Sequence, residues 1–146
     1  DEAMEHYTKA LEFDSDFENA HIHLGIALAK IEKIPDAIAH YTEALRINPA
    51  SAEAHNNLGN IYLKQGRLKQ AMQHYARAIE MNREYAPAYN NMGVVLFQLG
   101  KYDRAIVLFE EAVRINPNFN DAQNNLTSAS RAKKADASVF HENDNK

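Results

Sequence analysis

Apolar and small residues recur every 34 positions along this chain. Three glycines, each preceded by Leu or Met, are followed twelve residues later by alanines: Gly25, Gly59, Gly93 and then Ala37, Ala71, Ala105. An aromatic residue and another alanine continue the same register in each copy, at Tyr41, Tyr75, Phe109 and at Ala44, Ala78, Ala112. A fixed period of this length is typical of helical-repeat proteins, whose units bury their apolar faces only against their neighbours.

Within each period the apolar residues lie three or four positions apart, as they do on one face of an α-helix. Turn-forming pairs separate these faces: Gln65-Gly66, Leu99-Gly100, Asn48-Pro49 and Asn116-Pro117. Pro35 and Pro87 fall in predicted first turns, where the missing N–H costs nothing. The pattern therefore predicts eight helices, near residues 1–14, 18–31, 35–48, 52–65, 69–82, 86–99, 103–116 and 120–134.

The same register predicts a single domain over residues 1–135. Whole repeats cover 18–51, 52–85 and 86–119, and residues 1–17 match the second half of a preceding repeat. Residues 120–135 begin a fourth repeat but lose its apolar signature, as expected of a C-terminal capping helix. Residues 136–146 are polar apart from Val139 and Phe140 and are expected to form a disordered tail. Because the chain opens in mid-repeat, we expect it to be a fragment of a longer protein.

Over residues 1–135, the repeated positions resemble those of the tetratricopeptide repeat family. The shared signature is Leu-Gly early in each unit, Ala-x3-Tyr/Phe-x2-Ala in its middle and Asn-Pro near its end. Arg83 departs from it where other copies have proline, and Glu32 where they have a turn glycine. The resemblance implies an all-α fold, a right-handed superhelix (α-solenoid) of stacked helix-turn-helix hairpins. It also implies that the first helix of each pair lines a concave surface that binds other proteins.

A column of amides falls on that first helix. Position 6 of each repeat, counted from Glu18, holds His23, Asn57, Asn91 or Asn125, and position 9 adds Asn60. An asparagine side chain has a donor and an acceptor that match one peptide unit, so such a column would grip an extended backbone. It is similar to the asparagine ladder of the repeat domain of O-linked N-acetylglucosamine transferase, from which His23 departs.

The candidate peptide-binding residues also include apolar and cationic neighbours of these amides. Pockets for ligand side chains are predicted at Ile26, Leu63 and Val94. Polar edges are predicted at four residues: Lys30, Lys64, Gln98 and Glu53. Packing between adjacent repeats is the alternative for Leu63 and for Phe97. At position 5, Asn56 and Asn90 are interpreted as solvated, and a place in the groove is the less favoured alternative for Asn56, Asn90 and Asn124.

Other kinds of site are disfavoured. The chain has no cysteine, and five of its seven histidines recur at repeat spacing, too far apart for one ion that needs bonds of about 2 Å. Terminal-carboxylate binding, known in this family, is unfavourable because Asn56, Asp121 and Asn125 stand where cations are needed. No paired carboxylates, activated nucleophile or glycine-rich phosphate loop stands out. We therefore expect no enzyme activity, no metal and no cofactor.

Charge and hydropathy restrict the classes of partner that the sequence favours. The net charge is −4, with −5 in residues 1–17 and +1 in residues 18–119, so no basic stripe for nucleic acid is present. No apolar run reaches the roughly 18–20 residues that cross a bilayer. A soluble protein is expected, cytoplasmic rather than exported.

The leading hypothesis is a protein–protein interaction scaffold that binds an extended peptide in its concave groove. One alternative makes the chain the substrate-recognition or scaffolding arm of a larger enzyme, such as a glycosyltransferase. Another makes it a self-assembly module, because the N-terminal half repeat is expected to expose Met4, Tyr7 and Leu11. Docking of Val139 and Phe140 in the groove of another copy is a further possibility.

Overall fold

A computed structural model describes the backbone of residues 2–143 and the side chains of residues 4–137. The described backbone forms eight α-helices and no strand, which confirms the all-α class. The helices are α1 Glu2–Phe13, α2 Glu18–Lys30, α3 Ile34–Ile47, α4 Ala52–Lys64, α5 Leu68–Met81, α6 Ala86–Gln98, α7 Tyr102–Ile115 and α8 Asn120–Asn143. Within this described backbone, no helix combines the length and apolar character needed to cross a membrane.

The chain divides into two compact units, Asp1–Arg83 and Glu84–Lys146. The N-terminal unit holds α1 to α5, and the C-terminal unit holds α6 to α8. The division falls in the turn after α5, where Arg83 stands in place of the proline found in other repeats. The predicted repeat limits and the single domain over residues 1–135 stay predictions.

Close approach of paired helices in the N-terminal unit depends on glycine. A Cβ atom built on Gly59 would lie 2.5 Å from Cε1 of Tyr75, and one on Gly25 would lie 2.5 Å from Cε1 of Tyr41. Tyr75 is fully buried, so its ring fills the space that a side chain on α4 would need. This contact joins α4 to α5 as a helical hairpin, and the corresponding contact joins α2 to α3.

The turn between the helices of each hairpin needs one residue in the left-handed region. Gly66 and Gly100 have φ values of 71° and 69°. Glu32, the departure noted in the sequence, has a φ of 61°, so it keeps the same turn at the cost of backbone strain. The lost glycine therefore changes the energy of this turn and not its shape.

The C-terminal unit repeats the hairpin and adds α8. A Cβ on Gly93 would meet Cε1 of Phe109 at 2.6 Å. A small-residue cluster of Ala86, Ala112 and Ala122, with Phe119 against it, joins the start of α8 to α6 and α7. An ion pair between Lys133 and Asp103 adds a contact farther along α8.

The end of α8 differs from the prediction. This helix continues to Asn143, nine residues beyond the predicted end at 134, so the segment expected to be a disordered tail from residue 136 is largely helical. No glycine or proline interrupts residues 120–146, and the alanines and lysines after Arg131 favour helix without needing an apolar partner. The side chains of Val139 and Phe140 lie outside the described residues.

The apolar face of α1 is less exposed than expected. Met4, Tyr7 and Leu11 are half-buried, and the Tyr7 ring stacks on His23 of α2 with centroids 4.8 Å apart. Phe13, at the end of α1, is 92% exposed. Self-association through α1 therefore stays a prediction, and the exposed apolar surface that would support it is smaller than expected.

Candidate functional site

Four of the predicted binding residues meet at one cavity in the N-terminal unit. Ile26 from α2 and Asn57, Asn60 and Lys64 from α4 line a space of about 170 Å³. The same cavity is completed by Ala29, Lys30, Ile34, Tyr41 and Ile61. Ile26 and Asn60 are 34 positions apart, as are Lys30 and Lys64. Equivalent positions of two successive repeats therefore line the same cavity.

Asn57, one of the residues that line this cavity, has an unpaired side-chain donor. Its Nδ2 atom is buried and has no hydrogen-bond partner among the described residues. A buried donor without a partner costs about 1–3 kcal/mol, so this atom favours any ligand that supplies an acceptor.

The C-terminal unit explains why this donor is unpaired. There, Nδ2 of Asn125 donates to Oδ1 of Asn90 over 2.9 Å, which links position 6 of one repeat to position 5 of the repeat before it. For Asn57 the corresponding residue is Ile22, which is 2% exposed and has no side-chain acceptor. The repeat that precedes Asn57 therefore lacks the amide that would satisfy it.

Asn60 lines the cavity and also belongs to the core. Its Oδ1 accepts a hydrogen bond of 2.8 Å from the hydroxyl of Tyr75. Burial raises the pKa of Tyr75, so this hydroxyl keeps its proton and remains a donor. The equivalent residues in the other two repeats, Ile26 and Val94, cannot accept such a bond.

Tyr41 also lines the cavity and carries a hydroxyl group. Its side chain is 2% exposed and makes no hydrogen bond within the described part of the chain. Burial, with a smaller contribution from the nearby carboxylate of Glu53, raises the pKa of Tyr41 to about 12. The hydroxyl is therefore neutral near pH 7 and available to donate.

Two lysines stand at the edge of the cavity, Lys30 in the last turn of α2 and Lys64 in the last turn of α4. Both are exposed, and neither forms an ion pair with a described residue. An adjoining space of about 580 Å³ shares both lysines and adds Glu32. Both lysines were predicted from the sequence as polar edges of the groove, and both line this cavity.

The other predicted binding residues lie elsewhere. His23 is exposed and stacks on Tyr7, and Leu63 is half-buried without lining this cavity. Asn91, Val94 and Asn125 belong to the C-terminal unit, where all three are half-buried.

Two of the position-5 asparagines, Asn56 and Asn90, are structural, which the sequence interpretation missed. Asn56 and Asn90 are only 4% and 6% exposed, so the expectation that they are solvated is wrong, whereas Asn124 is exposed. Besides accepting from Asn125, Asn90 donates through Nδ2 to Oδ1 of Asn91 over 3.2 Å. The amides of this unit are therefore joined into a chain that holds Asn91 and Asn125 in place.

Two histidine pairs join the helices of the N-terminal hairpins. Nδ1 of His21 lies 2.9 Å from Nδ1 of His40, and Nδ1 of His55 lies 3.3 Å from Nδ1 of His74. With Nε2–H of His21 donating to the Ser15 carbonyl 3.2 Å away, its Nδ1 accepts from His40. The 19-residue spacing in both repeats was the available signal for these pairs. In the described part of the chain, no group of three or more potential ligands is placed to bind a metal.

Protonation of three histidines in these pairs is unfavourable in the folded chain. Burial is the largest cause that lowers the pKa of three of them below 6.5: His40, His55 and His74. The partner imidazole lowers the pKa further for His40 and His74, as Arg77 does for His55. The opposing groups are Asp36 for His40, and the Pro49 carbonyl and Glu80 for His55.

We expect the N-terminal unit to lose stability in mild acid. A histidine whose folded pKa is depressed stabilises the fold fully above its unfolded value of 6.5, and that contribution is lost as the pH falls below it. The urea midpoint measured by circular dichroism should therefore decrease between about pH 7.5 and pH 5.5. A His40→Gln, His74→Gln variant should show a shallower decrease, and an equal one would contradict the prediction.

Comparison with known proteins agrees with this architecture. A family model described as "Tetratricopeptide repeat" matches residues 51–118, and one described as "TPR repeat" matches residues 30–66. No curated protein matches the sequence.

Solved structures share the fold. Two crystal structures of MamA, 25% and 28% identical, cover 92% and 95% of this chain and 89% and 77% of their own, with TM-scores of 0.66 and 0.71. The Arabidopsis OM64 TPR domain, 24% identical, covers 78% of this chain and 94% of its own with a TM-score of 0.72. YrrB, described as a TPR protein with an unusual peptide-binding site, is 24% identical over 84% of this chain and 63% of its own, with a TM-score of 0.72. At that identity, OM64 and YrrB support the fold alone.

The family models together span residues 30–118, where the glycine–aromatic contacts build the helical hairpins. From these matches and this packing, the chain belongs to the tetratricopeptide repeat family, whose architecture is that of protein-interaction scaffolds.

Proposed function

We propose that this chain binds an extended peptide segment of a partner protein, and that the first helix of each pair supplies the contacts. The observation that carries the proposal is the cavity of the N-terminal unit. It combines a buried unpaired donor on Asn57 with the apolar side chain of Ile26 and the charge of Lys64. Such a mixture of a few directed polar groups with apolar walls is typical of ligand sites.

A peptide backbone supplies what the Asn57 amide lacks. Its carbonyl oxygen would accept from Asn57, and rotation of the amide about its terminal bond would bring Nδ2 to the cavity. Each hydrogen bond contributes about 0.5–1.5 kcal/mol net, so one amide gives weak binding. Affinity for an extended peptide therefore requires apolar contacts at Ile26, Leu63 and Val94 and further amides.

The further amides are Asn91 and Asn125 in the C-terminal unit. Their hydrogen-bonded chain with Asn90 fixes the side chains before a ligand arrives, which lowers the entropy cost of binding. In this proposal Asn60 and His23 contribute at the edges of the binding surface. The absence of a catalytic role stays a prediction.

The test combines Asn57→Ala with Asn91→Ala. Peptides are first selected from a random nonapeptide library with acetylated N-termini and amidated C-termini, and their affinities are then measured by fluorescence polarisation. The double variant should bind at least about fivefold more weakly, as expected for the loss of one or two hydrogen bonds. Its melting temperature should change little.

Asn124→Ala serves as the matched control because Asn124 is exposed on α8. This variant should bind like the unmodified chain. The proposal is wrong if the double variant keeps full affinity, or if it loses affinity only together with its melting transition.

A further inference from the structure

The charge at the cavity of the N-terminal unit is of one sign. Lys30 and Lys64 both line it, one repeat apart, and no acidic side chain that the structure describes lines it. Glu32 enters only in the larger adjoining space, and Glu53 acts on Tyr41. Because neither lysine is ion-paired with a described residue, both charges are available to a ligand.

The hydrogen-bonding groups at this cavity are mainly donors. Nδ2 of Asn57 is unpaired and reaches the cavity when the amide rotates, and the Tyr41 hydroxyl makes no hydrogen bond within the described side chains. The Oδ1 atom of Asn60, an acceptor, is already used by Tyr75. The arrangement therefore favours a ligand group with several acceptor atoms and a negative charge.

The volume of the cavity and its apolar lining restrict the ligand group further. A volume of about 170 Å³ is below the roughly 300–1,000 Å³ of sites for whole small molecules, and it suits a single side chain. Ile26, Ala29 and Ile34 provide apolar contacts for its methylene groups. The lysines stand in the last helical turns, at the edge of the cavity, where they would meet a charged tip.

We propose that this cavity binds the side-chain carboxylate of an aspartate or glutamate within the extended peptide. The inference rests on the proposed function and specifies the partner's chemistry. Charge-assisted bonds from lysine are roughly twice as strong as neutral ones, so an acidic residue would add both affinity and register. The chain as a whole carries −4, which disfavours acidic peptides in general, so a preference for them would arise locally.

The experiment uses the same doubly blocked nonapeptides, in which side chains carry the only carboxylates. Sublibraries with one position fixed as Asp or Glu are compared with sublibraries fixed as Asn or Gln. The unmodified chain should bind at least one acidic sublibrary about fivefold more tightly than its amide counterpart. Lys30→Gln with Lys64→Gln should bring this ratio to about one.

Lys69→Gln is the matched control because Lys69 is exposed on α5 and lines neither cavity. It should retain the acidic preference. The inference is overturned if peptides bind without that preference, if the preference survives the double substitution, or if Lys69→Gln removes it equally. Binding that appears only with a free C-terminus would assign the site to a terminal carboxylate and also overturn it. Failure of every peptide to bind would refute the proposed function itself.

Discussion

Replacing Gly59 with valine is expected to destabilise the N-terminal unit by about 3 kcal/mol, at the upper end of the usual cost of overpacking. A Cβ at this position already lies 2.5 Å from the Tyr75 ring, and valine adds two methyl groups beyond it. The ring cannot yield, because it is fully buried and its hydroxyl is held by Asn60. The urea midpoint of the chain, followed by circular dichroism, should therefore fall.

Two further substitutions make the Gly59 experiment specific. The unfolding free energy of Gly59→Ala should lie between those of the wild type and Gly59→Val, because the higher helix propensity of alanine offsets about 1 kcal/mol of the loss. Ala39→Val, at an exposed position of α3, should cost only a few tenths of a kcal/mol through helix propensity. A Gly59→Val chain as stable as the wild type would show that α4 and α5 do not approach as closely as this contact requires.

The same contact explains how much of the fold the sequence could predict. Glycine, alanine and an aromatic residue at a fixed period specify a close helix pair, and α1 to α7 begin and end within one residue of their predicted limits. The end of α8 could not be predicted in this way. Its apolar pattern fades after Ala129, yet a helix stops where backbone preference or a breaking residue stops it, and residues 120–146 contain no glycine or proline.

The candidate site was predictable only in part. Register alone placed Ile26, Asn57, Asn60 and Lys64 on the helices that line one cavity. The burial of Asn90 was not foreseen, because an isolated asparagine favours water and only its pairing with Asn125 makes burial tolerable. Repeat spacing showed that asparagines recur at positions 5 and 6, but not that position 6 of one repeat bonds position 5 of the repeat before it.

Asn60 raises the question of whether its role is structural or in binding, and two substitutions separate these roles. Asn60→Val removes the acceptor of the buried Tyr75 hydroxyl and should cost about 1–3 kcal/mol of unfolding free energy. Adding Tyr75→Phe removes that unsatisfied hydroxyl, so the double variant should recover most of the loss. It would then carry the pair that the chain already has at Val94 and Phe109, where the same hairpin packs without a hydroxyl.

Urea unfolding of both single variants and of the double variant gives the coupling between the two side chains. Additive losses would show that the hydroxyl of Tyr75 does not depend on Asn60, contrary to the 2.8 Å bond between them. The stable double variant then measures what Asn60 contributes to peptide binding apart from the core. If its affinity for the selected peptides equals that of the wild type, Asn60 acts only by holding Tyr75, and the amide contacts at this cavity belong to Asn57.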